Sequence, residues 1–459
     1  MPSNSVTFRP PRPTPQPHPL GAIALLKTLR RNPIECFTRA HFEQPIVMGG
    51  FPFARVAVVS DPPAIRKVLV EEPQAYRKST FERRILSARL RDGLAAVEGE
   101  QWASQRRTLS PLLGRKALMQ LAPAMACVAA TLIERWLSRG DQPFDVKAEM
   151  SAIALDTLLR SVFHDGLGTD PESMRGAMLT FFATAGRIDP FDIIGMPDFI
   201  PRFTHWRTRT KLRAFDQAFD SAVAERGRRL GKDSADAARD MLGLLLSTRD
   251  PETGKPMSEA EVKANVLVFF FAGQETTSTA MIWAMYLLSQ SPEWTARLAA
   301  EGERELGGPV EGLAERLVET RAVLDEGMRL YPPVVGITRT AARRDVLAGR
   351  TIDRGTMVMV SPYVLHRHKL LWDDPDAFEP RRFLERAARK VDRYAYLPFG
   401  IGPRMCIGAG FALQEATLML ASIMKNFTLK LVPGQSVWPL QRFTLRPRDP
   451  LLMTVKRRD

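Results

Sequence analysis

The chain has 459 residues, of which 45% are hydrophobic and 25% are charged, and it contains three widely separated cysteines. This composition excludes a largely disordered chain and a disulfide framework, and it favours a cytoplasmic location. The formal net charge is +14. Because no zinc-finger or RNA-recognition pattern accompanies the scattered basic residues, a solvated Arg-rich surface or a docking face for an acidic protein partner explains the charge better than nucleic acid does.

The first predicted element is an extended, proline-rich arm over residues 1–20, which lacks the apolar stretch of a secretory signal peptide. The remainder, residues 21–459, is predicted to form one domain. It opens with a strand, a turn and a helix over 55–71. Helices are then predicted over 102–137 with breaks at Pro111 and Pro123, over 143–164, over 173–187 and over 202–230. The connector 188–201, rich in Pro and Phe, is interpreted as a lid.

The longest predicted helix covers residues 258–290. Ser258 fits its N-cap, and Glu261 stands three residues later, as a capping box requires. Its centre, "QETTST", holds six consecutive polar residues, which argues against a membrane span and for a buried helix. The Thr276 hydroxyl is expected to bond the carbonyl four residues earlier and to bend the helix. The resulting groove would let Glu275 and Thr276 pass protons to a bound ligand. From the residues alone, however, hydroxyls satisfied within an ordinary helix are the usual explanation of such a run.

Short β-like runs follow over 338–365, then a loop-rich section, a helix near 409–426 and strand-like pieces to the end. His366 and His368 would share a strand face, where a polar strand end explains them better than a metal site. The fold class predicted from these elements is mainly α with a minor β part.

One cysteine stands in the glycine-rich segment "FGIGPRMCIG", directly before the last helix. Glycines let the backbone approach a flat partner closely, and the N–H groups of the helix N-terminus favour a thiolate. Arg404 adds a fixed cation nearby. Cys406 is therefore predicted to bind a metal, whereas Cys36 and Cys127 are predicted to be ordinary core residues.

The same segment resembles the heme-binding signature of cytochromes P450, F-x-x-G-x-R-x-C-x-G, and it matches every fixed position: Phe399, Gly402, Arg404, Cys406 and Gly408. The resemblance implies the cytochrome P450 fold, with a long central helix over a heme b and small antiparallel sheets. Cys406 would be the thiolate ligand of the iron, which favours O–O cleavage.

The long helix carries a second likeness to this family. Its "AGQETT" looks like the motif [A/G]-G-x-[D/E]-T-[T/S]. By this resemblance Glu275 and Thr276 serve the protonation of dioxygen, and Ala272 and Gly273 pass over the heme.

Glu326 and Arg329 in "LDEGMRLYPP" are spaced i, i+3 and therefore share one helix face. They could form a surface ion pair, but their apolar neighbours indicate a buried pair. The segment resembles the E-x-x-R motif of the family. Arg382 in "FEPRRF" would complete a structural triad. The spacing of Trp102 and Arg106 resembles W-x-x-x-R, whose members contact the heme propionates. Arg339 and Arg404 are the other propionate contacts that the resemblance implies.

The substrate pocket is predicted by resemblance alone. It would be lined by apolar side chains before Trp102, above the heme and after "YPP", which implies a hydrophobic substrate. The predicted members are Leu94, Ala95, Val97, Phe181, Phe182, Phe269, Ala272, Thr276, Val334, Val335, Ile337 and Phe443.

The resemblance extends over about residues 45–457. It implies a soluble, bacterial, monomeric monooxygenase without a membrane span, which inserts one oxygen atom of dioxygen into a hydrophobic small molecule by hydroxylation or epoxidation. A ferredoxin or flavodoxin with its NAD(P)H-dependent reductase would supply electrons, because no such domain is fused to the chain. A peroxide-using heme-thiolate enzyme and a non-catalytic heme or lipid carrier remain the alternatives.

Overall fold

A computed structural model of the chain describes residues 7–51, 54–79, 92–162, 241–384 and 390–458, with scattered residues at 82–90 and 217–223. The predicted helix 173–187 and the connector 188–201 lie outside the described residues, as does most of the helix predicted over 202–230.

Helices dominate the described residues. The α-helices are α1 (Ala22–Arg31), α2 (Pro62–Arg66), α3 (Gly99–Leu109), α4 (Arg115–Arg139), α5 (Val146–Val162), α6 (Met241–Ser247), α7 (Glu259–Ser289), α8 (Pro292–Glu305), α9 (Leu313–Arg316), α10 (Val318–Leu330), α11 (Pro362–Leu365) and α12 (Ala409–Asn426). A π-helical turn, Lys67–Glu71, continues α2. Short 3₁₀ helices occupy Pro33–Cys36, Arg39–Phe42, Ser110–Leu113 and Pro380–Phe383.

Local signals place several helices correctly. Helix α7 begins after Ser258, whose side chain accepts from the backbone N–H of Glu261 in the predicted capping box. The predicted break at Pro111 is confirmed by the 3₁₀ turn between α3 and α4. The break predicted at Pro123 is wrong, because α4 continues through it. A proline inside a helix costs about 3 kcal/mol, and the packing of the buried face of α4, which includes Met125 and Leu132, opposes that cost.

Among the described helices, α4 alone is long and apolar enough to cross a membrane by length and composition. A core helix has the same properties, and α4 packs against α5 and α12. Its length and composition are therefore weak support for a membrane span.

The strands are short. They are β1 (Ile46–Phe51), β2 (Ala54–Val59), β3 (Tyr76–Lys78), β4 (Phe144–Asp145), β5 (Ile337–Ala341), β6 (Asp345–Leu347), β7 (Arg350–Ile352), β8 (Met357–Val360), β9 (Phe427–Leu431), β10 (Pro439–Gln441), β11 (Leu445–Pro447) and β12 (Leu452–Arg457). The largest sheet has the order β1-β2-β8-β5-β3, in which only β2 and β8 are parallel. The other sheets, β4-β12-β9, β10-β11 and β6-β7, are antiparallel.

The β-like run predicted to reach residue 365 ends earlier. Strand β8 stops at Val360, and α11 follows with Pro362 in its first turn, where proline suits a helix. His366 and His368 therefore follow a helix and do not share a strand face. Both are buried.

Helices α7 and α12 each contribute side chains to two apolar cores, and this packing holds the two helices in place relative to each other. The first half of α7 packs with Leu155 and Phe411, and its second half packs with Trp136 and Met424. A third core lies beneath the five-stranded sheet. Because both helices are held at both ends, the segment that precedes α12 has a fixed position opposite the middle of α7.

Candidate active site

A cavity of about 410 Å³ lies between α7, α3, β5 and the segment before α12. This volume is typical of small-molecule and cofactor sites. Most of the predicted site residues line it: Leu94, Ala95, Trp102, Arg106, Phe269, Ala272, Gly273, Thr276, Val334, Ile337, Arg339, Phe399, Arg404, Cys406, Gly408 and Phe443. Val97, Glu275, Val335 and Gly402 do not line it, and Phe181 and Phe182 lie outside the described residues.

Cys406 is exposed to this cavity. Its backbone N–H donates to the carbonyl of Phe399 at 2.9 Å, which closes the loop. Burial by the surrounding protein raises the pKa of the Cys406 thiol, while the backbone N–H of Gly408 and the charge of Arg106 act in the opposite direction. The N-terminus of α12 thus donates toward the sulfur, as expected for a thiolate held at a helix start.

Two glycines shape the loop that carries the cysteine. Gly400 and Gly402 have φ values of +69° and +79°, which favour glycine. A Cβ on Gly402 would lie 2.2 Å from the carbonyl oxygen of Leu69. Gly402 therefore sets the approach of the loop to the π-helical turn after α2, and the prediction that it contacts a cofactor directly finds no support in the cavity lining.

The middle of α7 presents a hydroxyl to the cavity. Thr276 Oγ1 donates to the carbonyl of Ala272 at 2.6 Å, so the predicted back-bond is present. The glycine between them allows close packing, because a Cβ on Gly273 would lie 3.2 Å from Leu158 of α5. The oxygen of Thr276 keeps its lone pairs and can accept a hydrogen bond from a group in the cavity.

Glu275 lies on a different side of α7. Its Oε1 accepts from Thr444 Oγ1 at 2.8 Å and lies 3.6 Å from Arg446 Nη1. Thr444 precedes β11 and Arg446 lies within it. The acid and the alcohol of the motif are adjacent in the chain, but only Thr276 faces the cavity.

One wall of the cavity is cationic. Arg404 lies over the Trp102 ring at 4.4 Å from its centroid, and 3.8 Å from a carboxylate oxygen of Glu98. Arg339 lies 3.6 Å from a carboxylate oxygen of Glu82. Arg106 donates to the carbonyl of Met405 at 2.9 Å. The predicted cations and Trp102 are thus brought together.

Lys78 also lines this wall, and sequence reasoning missed it. Its ammonium group donates to the carbonyl of Ala95 at 2.5 Å, and burial lowers its pKa to about 8. Four cations and the two carboxylates of Glu82 and Glu98 leave this wall an excess of two positive charges. A cofactor with two carboxylates, such as heme, fits that excess. No signal in "YRKST" distinguishes Lys78, since its position depends on the β3–β5 pairing.

Glu326 and Arg329 form a fully buried pair on α10, at 2.6 Å and 2.8 Å. Arg329 also donates to the carbonyls of His366, Pro375 and Ala377. Arg382 Nε lies 3.7 Å from Glu326 Oε1. The three predicted triad residues meet, and none of them lines the cavity.

The other two cysteines differ from each other. Cys36 is partly buried, and burial raises its pKa to about 12. Cys127 is exposed, so its prediction as a core residue is wrong. The buried positions of α4 include Met125 and Ala129, and Cys127 lies midway between them, on the opposite side of the helix.

Comparison with known proteins gives a consistent result. The cytochrome P450 family model matches residues 10–455. The chain is 32% identical to cyclooctatin synthase of Streptomyces melanosporofaciens, over 78% of this chain and 77% of that protein. It is 30% identical to cyclooctat-9-en-7-ol 5-monooxygenase of the same organism, over 91% of this chain and 90% of the relative. The crystal structure of the cytochrome P450DA heme domain matches with a TM-score of 0.83 at 26% identity and covers 97% of this chain and 98% of that one.

Proposed function

This chain belongs to the cytochrome P450 family of heme b monooxygenases, and from this premise we propose that Cys406 is its iron ligand and that the cavity above it binds a hydrophobic substrate. The substrate would be hydroxylated or epoxidised with one oxygen atom of dioxygen. The observation that carries this proposal is that Cys406 and Thr276 line one cavity whose other lining side chains are largely apolar.

The cationic wall would hold the two carboxylates of the heme. Arg106, Arg339 and Arg404 are fixed in place by backbone carbonyls or acidic partners. Guanidinium groups pair well with carboxylates because they offer parallel N–H donors. Lys78 would add a fourth cation. Glu326, Arg329 and Arg382 support the loops from a distance and would take no part in the chemistry.

When bound, thiolate-ligated heme activates dioxygen and favours O–O cleavage. The protein's own part is to move protons and to hold the substrate. The Thr276 hydroxyl leaves its oxygen lone pairs free to accept hydrogen bonds from the cavity, because its O–H donates to the backbone carbonyl of Ala272. The carboxylate of Glu275 would reach Thr276 through water or after leaving Thr444, since its present bonds lead toward β11.

The substrate would lie against Phe269 and Phe443, which line the cavity. The ring of Phe271 packs edge-on against the ring of Phe443, with 4.6 Å between the ring centroids. Such a wall suits an apolar ring system. One relative is named for the oxidation of cyclooctat-9-en-7-ol. A carbocyclic alkenol of that kind is therefore the first compound to test with this chain.

The test replaces Cys406 by serine. The unaltered protein should bind heme and give the carbon monoxide difference spectrum of thiolate ligation, and C406S should lose it because an alcohol is a poorer anionic ligand. Optical titration of the ferric protein with carbocyclic alkenols should shift its Soret band. The proposal fails if C406S keeps the thiolate-type spectrum. Product formed with peroxide alone, and none with dioxygen and a reductase, would favour the peroxide-using alternative.

A further inference from the structure

A second cavity, of about 620 Å³, lies between the N-terminal arm, the end of α1 and the β10–β11 hairpin. Its lining residues are Pro13, Thr14, Gln16, Arg31, Asn32, Glu35, Trp438, Leu440, Arg442 and Arg448. None of these described residues lines the first cavity, above Cys406. The second cavity is large enough for a small molecule and is separate from the first.

Hydrogen bonds hold the walls of the second cavity together. The Asn32 side chain is 1% exposed; it donates to the carbonyl of Pro439 and accepts from the N–H of Gln441, both at 3.0 Å. The arm is fixed by Gln16, whose N–H donates to the carbonyl of Phe37 at 2.9 Å. These bonds join the arm and the hairpin to the end of α1, so the cavity has fixed walls.

The charges at this cavity do not cancel. Arg31 pairs with Glu35. Arg448 pairs with its exposed neighbour Asp449 at 3.0 Å. Arg442 has no acidic partner in the described part of the chain. One positive charge is therefore left without a counter-charge, which favours a ligand with a single negative charge.

Arg442 also has donors to spare. Its Nη1 donates to the backbone carbonyls of Arg31 at 3.0 Å and of Gln441 at 3.1 Å. Its Nε and Nη2 donate to no group among the described residues. These two atoms lie side by side and form a fork that can bind both oxygens of one carboxylate. Burial and the charge of Arg446 lower the pKa of Arg442, and a bound carboxylate would oppose both effects.

Another part of the wall is apolar. Pro13, Trp438 and Leu440 line the cavity, and the last two are only partly buried. The face of an indole binds a planar apolar group through its large area and its π system. A ligand that joins one carboxylate to an apolar ring therefore matches both parts of the wall.

The turn between β10 and β11 connects the two cavities. Arg442 lines the second cavity, and the next residue, Phe443, lines the first. The N–H of Arg442 donates to the carbonyl of Thr444 at 3.0 Å and closes the turn. Phe443 is only partly buried, so a ligand in the first cavity must order its side chain. A ligand that has already fixed the turn through Arg442 leaves less to be ordered.

We propose that the second cavity is an effector site for a monocarboxylate with an apolar ring. The carboxylate pairs with Nε and Nη2 of Arg442, and the ring lies against Trp438 and Leu440. Through the turn at 442–444, the bound effector strengthens ligand binding in the first cavity. The effector role rests on the proposed function of the first cavity, whereas binding of the carboxylate does not.

Calorimetric titration with naphthoate tests the site. The heme-loaded protein is first saturated with phenylimidazole, which ligates the heme iron and fills the first cavity, so that the naphthoate signal reports the second. R442Q should weaken naphthoate binding about tenfold because it removes the fork. R442K keeps the charge without the fork and should recover only part of the affinity. The matched control R30Q removes an exposed charge next to Arg31 but outside the cavity, and it should change the affinity less than about twofold.

Two further probes separate the parts of the ligand. Naphthalenemethanol lacks the charge and acetate lacks the ring, so each should bind about tenfold more weakly than naphthoate. If R442Q and R30Q weaken naphthoate binding equally, or if acetate binds as tightly as naphthoate, the inference is wrong.

Optical titration of the Soret band with phenylimidazole measures the effector role. Saturating naphthoate should tighten phenylimidazole binding about fivefold in the unaltered protein and leave it unchanged in R442Q. Competition for the first cavity would weaken phenylimidazole binding instead, so a weakened or unchanged affinity in the unaltered protein would overturn the effector role. If C406S keeps the thiolate-type spectrum, the proposed function fails, while the naphthoate affinities of the unaltered protein and R442Q still decide whether the second cavity is a site.

Discussion

At the scale of single residues, the motif "AGQETT" is divided between two environments. Successive helical residues point about 100° apart, so Thr276 faces the cavity while Glu275 is turned toward Thr444 and Arg446. The motif predicts the chemistry of this pair but not its orientation. That orientation depends on β11, which is more than 160 residues away along the chain. A proton that travels from Glu275 to Thr276 must cross from one face of α7 to the other.

Glu415, a buried glutamate on α12, has a consequence for stability. Its pKa in the folded state is raised from 4.5 to about 8. Between these values the folded protein holds a proton that the unfolded protein has lost, so the free energy of unfolding falls as pH rises from about 4.5 to 8. E415Q carries no ionisable group at this position, so its free energy of unfolding does not fall in this way. The difference in the free energy of unfolding between E415Q and the unaltered protein should therefore shift in favour of E415Q as pH rises, by on the order of 3 kcal/mol by pH 8.

Urea denaturation midpoints at pH 5, 6, 7 and 8 measure this difference. E301Q serves as the control, because its carboxylate is fully paired and its removal should cost stability throughout the range. Plots of unfolding free energy against pH for E415Q and the unaltered protein that stay parallel across this range would contradict the raised pKa of Glu415.

At the scale of elements, the buried pair on α10 ties three separate segments together. Arg329 binds Glu326 and the carbonyls of His366, Pro375 and Ala377. R329M would remove the two hydrogen bonds that Arg329 gives to the buried Glu326, and would leave the three carbonyls without that donor. The expected loss is about 3–5 kcal/mol in the free energy of unfolding, with loss of heme retention.

The matched control is Arg297, which makes a similar two-bond pair with Glu319 at 3.1 Å and 3.0 Å. The Arg297 side chain is 34% exposed, whereas that of Arg329 is fully buried. R297M should therefore cost no more than about 1 kcal/mol. Denaturant unfolding and heme absorbance measure both variants. If R329M and R297M lose the same free energy of unfolding, burial of the α10 pair does not determine its contribution to stability.

The elements also show what a sequence can and cannot predict. The starts of α7 and α12 follow local rules, because a capping box begins α7 and the glycine-rich segment precedes α12. Three features depend instead on contacts with distant segments: the unbroken helix at Pro123, the helix α11 and the exposure of Cys127. The same limit applies to Lys78 and Glu415, since lysine on a strand and glutamate on a helix are ordinary until the fold buries them.

At the scale of the whole molecule, the described part of the proline-rich arm lies against the rest of the chain. Tyr331 donates to the carbonyl of Pro11, and the N–H of Phe378 donates to the carbonyl of Phe8. Arg12 pairs with Asp376, one residue beyond a carbonyl that Arg329 binds. The arm thus touches the same segment that the buried pair of α10 holds.

The surplus of positive charge bears on how electrons reach the site. The start of α4 lies beside the start of α12, because Gln414 donates to the carbonyl of Leu118 at 2.8 Å and Gly410 fits against the Leu118 side chain. Lys116 is exposed there, close to the helix that begins after Cys406. An acidic ferredoxin or flavodoxin that docks on this face would be attracted by this charge.

K116E should therefore slow reduction of the heme by such a partner about fivefold at low salt, and the effect should shrink as ionic strength rises, because surface charges mainly affect the association rate. The control is K456E, which makes the same change on β12 next to the far end of α12, about 25 Å away along that 18-residue helix. Stopped-flow reduction under carbon monoxide measures both variants. If the two variants slow reduction equally, the positive charge acts through the net charge of the chain and not through a docking face beside Cys406.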